Sequence, residues 1–340
     1  MPLDLVKLYR KMYHSRYFEQ AVAALWQQGK ISGEMHLSMG EEAICAGIND
    51  HLRDGDALAL DHRGTAPLLM RGVEPLSLMK ELLGKSDGLC GGQGGHMHLF
   101  EPDFLAASSG IVGATGPAAA GFALAARYLR RGKIAVSYFG EGAINQGMLM
   151  ESCNLAAAWQ LPVLFVCKDN QWSITTRSET VTGGKIIDRV RAFGMSGDEI
   201  DGSSVAEVWE TAGKVIDKIR RQNVPAFIQA HCVHLEGHFL GDPLIQLGRR
   251  PFKKIQELGG PLVKSILHLQ GANIKNRTNA IHGIGSAMLD HIRADSLKKK
   301  DPVRILREKL AIPGQEIENI ERAIEQEIDT LVIQATATET

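Results

Sequence analysis

Glu141 and Asn170 are the residues of this sequence whose types and spacing first suggest chemistry. Glu141 lies in Gly-Glu-Gly, where the apolar run KIAVSYFG ends, and Asn170 closes a second apolar run, LPVLFVCKDN, 29 residues later. In parallel α/β sheets ligands collect beyond the carboxyl ends of the strands, so the two side chains are placed to converge on one small object. A carboxylate, an amide oxygen and a backbone kept bare at Gly140 and Gly142 suit a magnesium ion, which takes few protein oxygens and completes its octahedron with phosphate and water. Backbone N–H groups of the Gly-rich turn and of the helix after it favour an anion. A metal-bound diphosphate satisfies both halves. Two other readings stay open at this level. Gly-Glu-Gly also serves as a plain strand-to-helix turn, and a dinucleotide site is conceivable, although GEGAIN lacks the third glycine of G-x-G-x-x-G and would set Glu141 against a pyrophosphate.

These residues need elements to position them. ALALDHRG reads as a strand that delivers His62 and Arg63 at its carboxyl end, and GPAAAGFALAARYLRR as an Ala-rich helix. KIAVSYFG, a helical pattern from about Asn145 to Trp159, and LPVLFVCKDN make a βαβ unit, whose right-handed crossover requires parallel strands. Val205, Val208, Trp209, Ala212, Val215, Ile216 and Ile219 trace one helical face, which leads through Pro225 into a strand over AFIQAHCVH. The expected fold class is therefore α/β, a mostly parallel sheet with helices on both faces. No internal repeat is visible. His231, His234 and His238 invite comparison with a zinc cluster, but alternation along a strand points His231 and His234 to opposite faces.

Composition narrows the function classes. The chain has 340 residues, 44% of them hydrophobic, and a formal net charge of −1. That balance argues against nucleic acid as a general partner, because phosphate backbones are bound through a basic excess. The longest charge-free run, Phe104 to Ala126, is interrupted by Ser, Gly, Thr and Pro, and is poor material for a membrane span. No apolar secretory segment opens the chain, and five cysteines without a C-x-x-C pair suggest reduced thiols. The expectation is a cytoplasmic protein without structural zinc.

The stretch YFGEGAINQGMLMESCNLAAAWQLPVLFVCKDNQWSITT resembles the thiamine-diphosphate signature of the alpha subunits of 2-oxo acid dehydrogenase first components and of acetoin dehydrogenase. The resemblance implies the diphosphate-binding half of that fold, with Glu141, Asn170 and the backbone carbonyl of Trp172 as magnesium ligands and Gly140, Gly142 and Ala143 at the diphosphate of thiamine diphosphate. Asp169 replaces the usual first Asn of an Asn-Asn pair. Similar blocks extend over residues 10 to 248 and 301 to 335. GEMHLSMGEEA resembles the block that places His36 near the active-site channel. DHRGTAPLLMRG resembles the arginine-bearing block, which implies that Arg63 clamps the diphosphate with His62 beside it, a task suited to a planar guanidinium. GLCGGQGGHMHLF is similar to the Gly-rich loop before the cofactor. SSGIVGATGPAAAGFALA is similar to the segment whose backbone at Gly110 and Val112 touches the aminopyrimidine. GHFLGDP resembles a mobile loop whose histidine, here His238, stands beside the diphosphate and the reacting group. Phe239 occupies the place of the serine phosphorylated in regulated relatives, which excludes that modification there. Thr65 stands where many relatives carry a histidine on the acyl-transfer path.

The family's carboxylate against the aminopyrimidine belongs to a second, similar domain, which this chain is too short to hold. The resemblance thus implies a beta subunit that brings that glutamate, in an α2β2 assembly. The activity implied is decarboxylation of a 2-oxo acid, or cleavage of acetoin, with transfer to a lipoyl or carrier-protein acceptor. A carboligase, a carrier-protein loading subunit of a specialised pathway, and a non-catalytic binding subunit are the alternatives. Three regions are expected: a cofactor-binding α/β domain over 1–248, a basic insertion over 249–300, and a C-terminal helical segment over 301–340 packing on the first. From Arg249 to Lys300 there are 11 Lys or Arg against 3 Asp or Glu. That surplus suits either a solvated face or a docking surface for an acidic lipoyl or acyl-carrier domain.

Overall fold

The computed structural model describes residues 2–174, 176–241, 275 and 299–337. Along the chain run α1 (Leu5–Gln27), α2 (Glu42–Asn49), β1 (Ala57–Leu60), α3 (Thr65–Arg71), α4 (Pro75–Leu82), β2 (Phe100–Glu101), β3 (Ala106–Ser108), α5 (Thr115–Leu129), β4 (Ala135–Gly140), α6 (Gly147–Trp159) and β5 (Val163–Asp169). The hairpin β6 (Trp172–Ser173) and β7 (Thr176–Arg177), α7 (Ile186–Arg191), β8 (Ser196–Asp201), α8 (Val205–Gln222) and β9 (Ala226–His231) follow, with α9 (Pro302–Lys309) and α10 (Gly314–Thr336) at the carboxyl end. Of the expected insertion only Lys275, Lys299 and Lys300 fall among the described residues.

Seven strands form one sheet in the order β2-β3-β1-β4-β5-β9-β8. Every pairing in it is parallel except β2 with β3. The register places Gly140 opposite Lys168 and Asp169 opposite His231, which brings the carboxyl ends of three central strands level. Alternation divides the strand residues between two cores. Leu58, Leu60, Val136, Tyr138, Leu164, Val166 and Ile228 join the core under α1, α2, α8 and α10. Ala57, Ala59, Ala135, Phe139, Val163, Phe165, Cys167 and Phe227 join the other, under α5, α6 and α7. A sheet covered on both faces explains why its central strands read as continuous apolar runs. Truncating a fully buried residue such as Phe165 to Ala would cost about 3–5 kcal/mol.

The helices follow from local signals. Ser204 caps α8 by accepting from Glu207 N, and Asn223 ends it in the left-handed region at φ 50°. Its buried stripe is Val205, Val208, Ala212, Val215, Ile216 and Ile219, while Trp209 is half-buried and donates from its indole to Asp50. α8 packs on α2, where a Cβ at Gly47 would meet Val208 Cγ1 at 2.7 Å. The strand expected over AFIQAHCVH is shorter than the sequence suggests. It ends at His231, because Leu235 N donates to Met39 O, which draws the chain away from the sheet.

α1 and α10 run in the same direction, side by side. The hydroxyls of Tyr9, Tyr13 and Tyr17, one turn apart, donate to Glu321, Glu325 and Asp329, also one turn apart. Val303, Leu306, Ile317, Ile320, Ile324, Ile328 and Leu331 of α9 and α10 bury themselves in the α1 core.

Candidate active site

All twelve residues singled out above line one cavity of ≈ 400 Å³: His36, His62, Arg63, Gly110, Val112, Gly140, Glu141, Gly142, Ala143, Asn170, Trp172 and His238. It opens where β1, β4 and β5 end. Glu141 begins a short 3₁₀ turn, Glu141–Asn145, that links β4 to α6. Its carboxylate is buried and accepts from Ser178 Oγ at 2.6 Å. Burial pushes Glu141 up to about 7, and the charge of Asp169 adds to the rise, against the Ser178 hydrogen bond. Gly142 lies close under the β6 hairpin, where a Cβ would meet Ser173 Oγ at 1.9 Å and force that hydroxyl to turn away. Among the described residues no lysine or arginine pairs with Glu141. A buried acid held high by desolvation is what a divalent cation would offset, and its oxygen with the Asn170 amide oxygen makes the hard donor set magnesium prefers.

Asn170 lies in an Asx turn, its Oδ1 accepting from Trp172 N at 3.1 Å. Its Nδ2 donates to His234 Nδ1 at 2.7 Å. From there a buried chain continues. His234 Nε2 meets Glu41 Oε1 at 2.9 Å, Lys168 Nζ meets Glu41 Oε2 at 2.7 Å, and the same ammonium reaches Asp61 at 3.0 Å. Burial alone would raise Glu41, but Lys168 and the His234 hydrogen bond hold it below the usual carboxylate range. Burial works against Lys168 too, yet Asp61 and Glu41 hold it charged. Burial and the charge of Arg63 lower His234 to about 4, so it is neutral. Gly40 lets this wall close, because its φ of 109° brings the backbone so near Val233 that a Cβ would lie 1.9 Å from the Val233 carbonyl oxygen.

The opposite wall carries imidazoles. His36 packs edge-on against His62 and His238, and its Nδ1 lies 3.1 Å from His96 Nε2. Burial first, then the Arg63 charge and the neighbouring rings, hold His36, His62, His96 and His238 at about 2, 4, 4 and 3, with Asp61 opposing at His62. His62 Nε2 is buried without a hydrogen-bond partner, a polar atom in want of a ligand. Arg63 is buried and donates to the backbone carbonyls of Leu37 and His238, which ties the His238 loop to the end of β1. His96 arrives on the Gly-rich loop after α4, and that loop is wound around Glu81. The single buried carboxylate accepts from four backbone N–H groups, those of Cys90, Gly92, Gly94 and Gly95, at 2.7–3.1 Å. At the rim Ile111, Val112 and Ile174 are apolar and more than half exposed, as suits a flat heterocycle or a partner chain.

Two substitutions relative to the family pattern find their setting. Asp169 accepts from Gln229 at 2.7 Å and from Gln171 N at 2.9 Å, and stands 3.4 Å from His231 Nδ1. The Asp169 carboxylate lifts His231 to about 9, with burial opposing and the Glu199 hydrogen bond contributing, so a cation sits beside the extra anion. Thr65 is buried at the start of α3 and is not part of the cavity wall. Glu41, His96 and Glu81 escaped sequence reasoning, and His234, considered there only for zinc, has a different place, on Asn170 and Glu41. One signal was available, since Lys168 interrupts an apolar strand and a buried lysine requires acids nearby.

A cavity that gathers an acid, an amide and several imidazoles at the level where parallel strands end stands where α/β proteins hold their ligands. Comparison with known proteins makes the class specific. A family profile described as dehydrogenase E1 component matches residues 10–274, and the chain belongs to that family. Its relatives include the alpha subunit of acetoin:2,6-dichlorophenolindophenol oxidoreductase from Cupriavidus necator, 40% identical over 71% of this chain and 74% of that one. The Bacillus subtilis subunit of the same name is 38% identical over 69% and 71%. The pyruvate dehydrogenase E1 component subunit alpha of Zymomonas mobilis is 32% identical over 76% and 74%. Membership implies thiamine diphosphate as the cofactor. No helix among the described residues is long and apolar enough to cross a membrane.

Proposed function

We propose that this chain is the alpha subunit of a thiamine-diphosphate-dependent oxidoreductase that cleaves acetoin or decarboxylates a 2-oxo acid and passes the two-carbon or acyl unit to an acceptor. The observation that carries the reading is the meeting of Glu141 and Asn170 with His36, His62 and His238 in one cavity. When bound, thiamine diphosphate supplies a nucleophilic carbon and a sink for the electrons of the cleaved bond. The protein's part is position and electrostatics. Glu141, Asn170 and the Trp172 carbonyl hold magnesium, the backbone at Gly140, Gly142 and Ala143 takes the diphosphate, and Arg63 and His62 flank it. Gly110 and Val112 face the aminopyrimidine. Burial keeps His36 and His238 neutral, so each can donate or accept a hydrogen bond at a substrate oxygen without bringing a fixed charge.

The alpha-subunit relatives imply a beta-subunit partner, and the exposed apolar rim at Ile111, Val112 and Ile174 suits one that completes the cavity in an α2β2 assembly. The basic tract from Arg249 to Lys300 suits an acidic lipoyl or carrier domain as acceptor. Acetoin is the favoured substrate, since the two relatives of 38–40% identity act on it by name. The test is reconstitution with the beta subunit, thiamine diphosphate and magnesium, followed by dye reduction with acetoin or pyruvate. Activity with acetoin is expected. Failure of the assembly to bind thiamine diphosphate by calorimetry would overturn the reading.

A further inference from the structure

An asparagine ligand carries an ambiguity that a carboxylate does not. Its amide can turn either oxygen or nitrogen toward a cation, and only the oxygen ligates. We propose that His234 is a positioning residue that fixes the orientation of the Asn170 amide, and so makes the site competent for a cation. This rests on the cofactor reading above.

The argument follows hydrogen-bond polarity, one link at a time. The Lys168 ammonium only donates, and it lies 2.7 Å from Glu41 and 3.0 Å from Asp61. Glu41 is thereby a carboxylate, which only accepts, so the proton in its 2.9 Å contact with His234 Nε2 must sit on the imidazole. Asn170 Oδ1 accepts from Trp172 N at 3.1 Å, which leaves the donating Nδ2 as the Asn170 atom 2.7 Å from His234 Nδ1, so that ring nitrogen accepts and is bare. The Oδ1 atom is then turned to the Trp172 N–H and the cavity. Lys168, Glu41, His234 and Asn170 are 2, 1, 7 and 9% exposed, which leaves bulk water little chance to invert a link. Glu41, Cys232 and His234 also bring three ligand atoms within 4.8 Å of one another, but the Lys168 ammonium already supplies the positive charge beside Glu41.

The test titrates magnesium into the assembled protein with saturating thiamine diphosphate and reads affinity by calorimetry. His234→Leu removes the acceptor, and affinity should fall about 10–100-fold, the usual effect of losing a group that orients a ligand. His234→Gln can accept from Asn170 with its oxygen and donate to Glu41 with its nitrogen, so it should restore affinity to within about threefold. Asn170→Asp carries oxygen on both sides. In that background His234→Leu should change affinity by less than about threefold. An unchanged affinity for His234→Leu in the natural background, an equal loss in both backgrounds, or a glutamine variant as weak as the leucine one would overturn the proposal. A measurement on the natural protein guards against a variant that fails to assemble. Nitrogen NMR of histidine-labelled protein, assigned by the His234→Gln difference, should find Nδ1 bare and Nε2 protonated, and the opposite tautomer would overturn it. Failure of the cofactor reading looks different, because Glu141→Ala would then leave magnesium affinity untouched.

Discussion

His36 and His96, 60 residues apart, hold one proton between two neutral rings, Nδ1 to Nε2 at 3.1 Å. Burial and nearby charge keep His96 at about 4 in the folded protein, against about 6.5 for a free imidazole. Between those values the unfolded chain binds the proton and the folded chain does not, so stability falls as pH drops below 6.5 and levels off near 4. Unfolding free energies at pH 7 and 4.5, from denaturant titrations, should therefore differ less for His96→Asn than for the natural protein, by about 1–3 kcal/mol. Equal pH slopes for the two would remove His96 from the acid-sensitive set.

Glu141→Ala should abolish magnesium-dependent binding of thiamine diphosphate while circular dichroism stays unchanged. Losing one hard oxygen ligand leaves diphosphate charge uncompensated and costs several kcal/mol in a site built round the ion. Calorimetry with the beta subunit present is the measurement, and an unaltered affinity would exclude the ligand role.

His238→Ala should spare cofactor binding and lower turnover by about 10² to 10⁴. The side chain stands against His36 and His62, while the Arg63 contact is made by the His238 backbone carbonyl and survives the change. Turnover within twofold of the natural enzyme would end its assignment to the chemistry.

Arg16 joins three parts of the chain. Its guanidinium donates to Glu42 at 2.6 Å and, through both terminal nitrogens, to Asp301 at 2.9 and 3.0 Å. Removing one partner of a buried pair leaves the other charge uncompensated, so Arg16→Met should destabilise by about 3–5 kcal/mol. Limited proteolysis should then release α9 and α10 first. Asp301→Asn should cost less, because Asn keeps the cap on Val303 N.

Much of this was legible in the sequence. β1, β4 and β5 announce themselves as apolar runs, α8 by its stripe, and Glu141 with Asn170 by their place at strand ends. What was not legible depends on distance. His234 acquires its role only when Glu41, 193 residues away, arrives at the same wall, and no local pattern encodes that meeting. AFIQAHCVH looked like nine residues of strand because composition cannot report the bond from Leu235 N to Met39 O that ends it early. His96 sat inside a recognised Gly-rich block, yet a histidine among glycines gives no hint of which ring it will face.

The winding of the Gly-rich loop around Glu81 bears on the order in which the site is assembled. The four amides the carboxylate gathers lie 9 to 14 residues from it along the chain, whereas Arg63 meets the His238 carbonyl across 175. Contacts of short sequence separation cost little chain entropy to close and can form early, while distant ones wait for the sheet. One wall of the cavity can thus take shape as soon as α4 does, and the wall that bears His238 is made only when the whole topology closes. Hydrogen exchange pulsed during refolding would see that difference as early protection of the amides of Gly92 and Gly94 in a segment that belongs to no helix or strand.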